Sequence, residues 1–179
     1  ITLSIGLSAL STIAMAQAPV ADFSADKVSG CAPLTVKFTD QSIVPAGGGP
    51  ITSWIWDFGN GLQSVQNPTV AFSTPGTYTV KLIVRNSSGI DEEVKVNYIT
   101  VFPAPSANFV ADITTACLPG TIQFTDQSTV SPGGGTITSW SWNFGDTGPN
   151  STSSLQNPSH TYTAPGFYTV TLLITSSTG

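Results

Sequence analysis

Three observations predict an all-β fold. Charged residues make up only 8% of the chain, while Gly (17) and Pro (13) are frequent, a composition poor in the residues that sustain long helices. Short β-branched and aromatic runs are bounded by Gly, Pro, Asn and Ser, the pattern of strands between tight turns. Aromatics fall at every second position in Trp54-Ile55-Trp56-Asp57-Phe58, which runs into Gly59-Asn60-Gly61. Period two puts Trp54, Trp56 and Phe58 on one face of a strand. Gly and Asn at its end tolerate the positive φ of a turn.

The motif is made twice. It recurs as Trp140-Ser141-Trp142-Asn143-Phe144-Gly145-Asp146-Thr147, and the two copies hold all four tryptophans of the 179-residue chain. The repeat extends well beyond the motif. Cys31 matches Cys117, Phe38-Thr39-Asp40-Gln41-Ser42 matches Phe124-Thr125-Asp126-Gln127-Ser128, and Gly47-Gly48-Gly49 matches Gly133-Gly134-Gly135, all at an offset of 86. From Asn67-Pro68 against Asn157-Pro158 the offset is 90. Four residues have therefore entered 147–154, as suits a surface loop. Self-similarity at this period indicates two copies of one small domain.

The elements follow in order. Residues 1–18, ITLSIGLSALSTIAMAQA, are apolar, uncharged and end in Ala-x-Ala. They are expected to be a signal peptide, truncated at its N-terminus, with no membrane insertion after cleavage. As a membrane anchor the run is short and diluted by Ser and Thr. The first domain is expected over 19–102, a semi-rigid Pro-rich linker over 103–106, and the second domain over 107–179. Leu34, Val36 and Phe38 alternate with Thr35, Lys37 and Thr39, giving a half-buried strand. The motif strand begins near Ile51, and Thr69 to Phe72 forms a short strand. Tyr78, Val80, Leu82 and Val84 share one face of a long strand, repeated by Tyr168, Val170, Leu172 and Ile174. Val94, Val96 and Tyr98 are out of phase with Ile99 and Val101, so the last strand should carry an irregularity. The second copy lacks a counterpart of 91–101, which would leave the Phe167 to Thr175 strand with an unpaired edge.

About seven strands around a buried Trp make an immunoglobulin-like sandwich. The expected core comprises Trp54, Trp56, Phe58 and Tyr78 in the first copy and Trp140, Trp142, Phe144 and Tyr168 in the second.

Charge excludes some functions. The net charge is −5, and all five basic residues (Lys27, Lys37, Lys81, Arg85, Lys95) precede Phe102. No basic stripe exists to bind nucleic acid or an anionic membrane surface. Asp57, Asn60, Asn143 and Asp146 could offer oxygens to calcium, which takes 6–8 of them. Help would have to come from Asp26 or Asp40. The competing role for such side chains is turn capping. Cys31 and Cys117 stand at equivalent positions of two successive domains, too far apart to bridge, and free thiols are expected. His160, the only histidine, replaces Val70 of the first copy. With no nucleophile motif beside it, it reads as a strand residue. The Gly triplets lack the following helix of a phosphate loop. No catalysis is expected.

Trp-x-Phe-Gly, Asn-Pro and Pro-Gly-x-Tyr-Thr-Val occur in this order in both copies. In this the chain resembles the PKD (polycystic kidney disease) domain family from about residue 20 to 179. The family's Trp-Asp-Phe-Gly-Asp-Gly stands here as Trp56-Asp57-Phe58-Gly59-Asn60-Gly61 and Trp142-Asn143-Phe144-Gly145-Asp146-Thr147. The resemblance implies sandwich domains serving as spacer, adhesion or accessory modules of exported proteins and hydrolases, some with calcium near the motif. The expected function is a non-catalytic extracellular spacer or adhesion module that contacts protein or polysaccharide, with further domains in the same chain. The alternative is an accessory substrate-binding module of a secreted hydrolase.

Overall fold

The computed structural model describes residues 16–148 and 150–178. Residues 1–15 of the expected signal peptide lie outside them. All regular structure among the described residues is strand, and none of it is a helix long and apolar enough to cross a membrane. By Cα proximity the chain divides into two compact units. One takes residues up to Ala25 with Phe38–Pro68 and Thr79–Val96; the other takes Asp26–Lys37, Thr69–Tyr78 and residues from Asn97 onward.

The first repeat contains β1 (Phe23–Ala25), β2 (Ser29–Cys31), β3 (Leu34–Asp40), β4 (Ser53–Asp57), β5 (Leu62–Gln63), β6 (Thr69–Phe72), β7 (Gly76–Asn86) and β8 (Gly89–Phe102). They form a three-stranded sheet, β1-β3-β6, and a five-stranded sheet, β2-β8-β7-β4-β5. Alternation decides which side chains go inward: Leu34, Val36 and Phe38 are buried while Thr35, Lys37 and Thr39 are exposed. The fully buried Trp56 joins the two sheets. Its ring lies 5.2 Å from Phe23 and 5.7 Å from Phe38, and it stacks on Phe58 at 5.8 Å. Its indole N–H donates to Val65 O at 3.0 Å, which satisfies a polar group that burial would otherwise leave unpaired. The expected irregularity in β8 sits at Asn97, whose φ is +52°. It does not turn Val94 and Val96 inward; both are exposed, and Ile99 and Val101 are the residues buried. Lys95 covers the Phe23 ring instead, with Nζ 4.5 Å from the ring centre.

The second repeat contains β9 (Phe109–Ala111), β10 (Gly120–Asp126), β11 (Ile137–Asn143), β12 (Thr152–Ser153), β13 (Ser159–Tyr162) and β14 (Thr171–Ser176). Its sheets are β13-β10-β9 and β12-β11-β14. Trp142 repeats the role of Trp56, 5.0 Å from Phe109 and 5.7 Å from Phe124, with its N–H donating to Leu155 O at 2.9 Å.

Four residues expected in the core are only half-buried: Trp54, Trp140, Tyr78 and Tyr168. Each keeps a polar tip that needs a partner, and each sits where one is available. The Trp54 N–H donates to Asp40 Oδ2 and the Trp140 N–H to Asp126 Oδ2, both at 2.7 Å. The Tyr78 hydroxyl donates to Thr74 O at 2.6 Å and that of Tyr168 to Ala164 O at 2.8 Å, the geometry of the tyrosine corner in such sandwiches. Asp40 also accepts from Gln66 and from the Ser42 amide, and Asp126 from Gln156 and the Ser128 amide. Burial opposes the ionisation of both carboxyls. Hydrogen bonds from Ser42, Gln66 and Trp54 outweigh it at Asp40, as those from Ser128, Trp140 and Gln156 do at Asp126, holding each below the ordinary carboxylate value.

Two outcomes are expected. Trp56→Ala or Trp142→Ala should destabilise its domain by about 3–5 kcal/mol in urea titration, combining lost transfer energy with a cavity. The depressed carboxyls contribute stability that is present above the unfolded value of ~3.9 and lost as pH falls through the folded value. Urea midpoints should therefore fall below about pH 4, and Asp40→Asn should flatten that slope.

Candidate functional site

The motif strand delivers its polar residues to a turn. Asp57 Oδ1 accepts the Gly59 amide at 2.9 Å, and Asn143 Oδ1 accepts the Gly145 amide at 2.8 Å. These are turn caps of the kind Asp and Asn form with the backbone two residues on. Gly59 and Gly145 have φ of +74° and +80°. A Cβ at Gly145 would lie 2.5 Å from Thr169 O, so the family glycine is fixed here by backbone geometry. Of the four calcium candidates, Asp57 and Asn143 are thus engaged in caps, Asn60 is exposed, and Asp146 turns to a histidine. Asp40 holds the tryptophan brace, and Asp26 accepts the Lys37 amide at 2.9 Å. No three His, Cys, Asp or Glu side chains gather among the described residues.

The second repeat carries a pair that sequence reasoning missed. His160 Nε2 lies 3.0 Å from Asp146 Oδ2. His160 is only 4% exposed; its ring stacks on Phe144 at 4.3 Å and meets the edge of Tyr162 at 4.6 Å. The Tyr162 hydroxyl donates to Phe144 O at 2.8 Å. Burial, then the Asp146 charge and Tyr168, push that phenol up. Asp146 Oδ1 is buried without a hydrogen-bond partner among the described residues. His160 is indeed a strand residue, in β13, but not an isolated one. The signal available in the sequence was a double exchange: Asn60 and Val70 of the first copy become Asp146 and His160 in the second. With aromatic rings on two sides and almost no exposure, the imidazole presents no face to a substrate. It holds the inserted loop against the strand.

The second repeat also has a cavity of about 600 Å³. Phe109, Ile113, Ile122, Phe124, Phe167 and Tyr168 are among the residues that line it. Phe167 is the only aromatic among the strongly exposed large hydrophobic residues described. Among the described residues no row of exposed rings offers a stacking platform. Cys31 is buried, Cys117 is exposed, and neither is bridged.

The PKD-domain family profile matches residues 16–101 and again 103–179. Among curated proteins, the pre-pro-metalloprotease PrtV of Vibrio cholerae serotype O1 is 34% identical over 98 residues, covering 52% of this chain and 10% of PrtV. Collagenase ColA of Bacillus cereus is 43% identical over 51 residues, 27% of this chain and 5% of ColA. The chain therefore spans a tenth or less of these relatives. Among solved structures, the PKD1 domain of PrtV is 31% identical, covering 48% of this chain and 98% of that domain, with a TM-score of 0.41. The PKD1 domain of Vibrio anguillarum Epp is 30% identical with the same coverage and TM-score. With the family profile matched by both repeats, from Ala16 to the last residue, this chain belongs to the PKD-domain family.

Proposed function

We propose that the chain is a non-catalytic extracellular spacer and adhesion module of an exported protein, with domains at 19–102 and 107–179 joined through 103–106. The observation that carries this reading is where the motif side chains go. Trp56, Phe58, Trp142 and Phe144 are buried, Trp54 and Trp140 brace carboxylates, and Asp57 and Asn143 cap turns. These residues of the family motif thus build each domain. Exposed strand positions carry Thr35, Thr39, Thr69 and Ser159, whose hydroxyls can hydrogen-bond to a partner protein or polysaccharide. The leader-like residues 1–18 support export.

A second reading, an accessory substrate-binding module of a secreted hydrolase, is favoured by one observation: the similar proteins include a metalloprotease and a collagenase.

Co-sedimentation with insoluble collagen, cellulose and chitin separates the two. The spacer and adhesion reading expects weak, non-saturating retention and no hydrolysis. Saturable micromolar binding to one of these polymers would replace it with the accessory reading. Because the motif turns are short of carboxylates, added calcium should leave the melting temperature unchanged. A rise reversed by chelator would reinstate a metal role.

A further inference from the structure

We propose that the leader is cut between Ala16 and Gln17, so that the exported chain begins at Gln17 and keeps Gln17 and Ala18 as part of the first domain. This rests on the export reading above and adds a processing site to it. A signal peptidase cuts after a small-x-small run, and the sequence offers two such runs. A cut after Ala14-Met15-Ala16 frees Gln17; a cut after Ala16-Gln17-Ala18 frees Pro19.

The first domain has a seat for the two residues in dispute. Asn86, at the end of β7, is only 5% exposed. Its side-chain amide donates to Gln17 O at 2.9 Å and to Gly49 O at 3.1 Å. Its Oδ1 accepts the Ser88 and Gly89 amides at 2.8 and 3.0 Å. One buried side chain therefore closes the turn between β7 and β8 and ties the start of the domain to it. Two glycines keep room for the incoming chain. A Cβ at Gly48 would lie 2.7 Å from Gln17 O, and one at Gly89 would lie 3.0 Å from Ala18 Cβ. Beyond them Pro19 is buried, and Val20 exchanges main-chain hydrogen bonds of 2.8 and 3.0 Å with Ile43. All of these residues fall in one compact unit. A cut before Pro19 would remove an acceptor from a buried amide, which costs more than the bond itself contributes.

The two bonds also differ chemically. Ala18–Pro19 is a tertiary amide whose nitrogen carries the proline ring and no hydrogen, an encumbered leaving side for a peptidase. Ala16–Gln17 is an ordinary secondary amide. The family profile takes in residues 17 and 18 as well, its first match running over 16–101.

The test secretes the chain behind its complete leader from a bacterial host and reads its N-terminus by mass spectrometry. No Lys or Arg precedes Lys27, so trypsin releases the N-terminus as one peptide ending there. That peptide should span 17–27, with the Gln17 amine free or closed onto its own side-chain amide with loss of ammonia. A peptide beginning at Pro19, or anywhere else, would overturn the proposal and leave the export reading standing; protein retained uncut in the cell would overturn both. A second measurement compares purified proteins that begin at Gln17 and at Pro19. The shorter form should lower the melting temperature of the first domain by about 4–8 °C, the shift for one lost hydrogen bond in a domain of this size. Asn86→Asp keeps the acceptor for Ser88 and Gly89 but loses the amide donor. It should lower the longer form similarly, and in that background removal of residues 17 and 18 should cost nothing further. Equal melting of the two forms, or the same loss with Asn86 and with Asn86→Asp, would overturn the seat and with it the proposal.

Discussion

Each domain depends on one indole. Trp56 and Trp142 are fully buried, and each touches a phenylalanine from the facing sheet while stacking on the phenylalanine two residues on. In the first repeat Phe23, Phe38, Phe58 and Phe72 are buried with Trp56, and the indole is the largest of these side chains. Burial also imposes a condition on a distant loop, since the indole N–H needs an acceptor. Val65 and Leu155 provide it from the segments after β5 and β12. The acceptor keeps its role across the four-residue insertion, so the loop can lengthen only in ways that return its end to the tryptophan.

The sequence made the fold legible because its strands alternate. Leu34, Val36 and Phe38 go inward as their spacing requires, and Tyr78, Val80, Leu82 and Val84 lie on one face of β7. Parity says which face a ring is on but not how deep it lies. Trp54 shares parity with Trp56, yet lies nearer the sheet end, where its N–H reaches Asp40. Apolar character was the misleading cue in β8. Val94 and Val96 are apolar, but the inward parity belongs to Lys95, whose Nζ lies over the Phe23 ring and reaches Asp22 and the Phe23 carbonyl. A cation can sit on the face of an aromatic ring, and no hydropathy pattern shows that.

The candidate site was harder to read. Asp57, Asn60, Asn143 and Asp146 were legible as a polar turn, but their roles follow from the backbone they meet. Two cap the turn at Gly59 and Gly145. The His160–Asp146 pair joins residues 14 apart across the inserted loop, and only a comparison of the two copies hints at it. The second copy has exchanged a neutral amide and a valine for an acid and a base that hold each other.

All five cations of the chain lie in the first repeat, the last being Lys95 in β8. From Val96 to Gly179 there is no Lys or Arg. Proteases that require a basic residue before the cut bond therefore find nothing to cleave there, folded or unfolded. In the first repeat Lys95 is only partly accessible and bound to Asp22, which guards the bond nearest the second half. Resistance to this class of enzyme is written into the composition of the second repeat and does not rely on its stability.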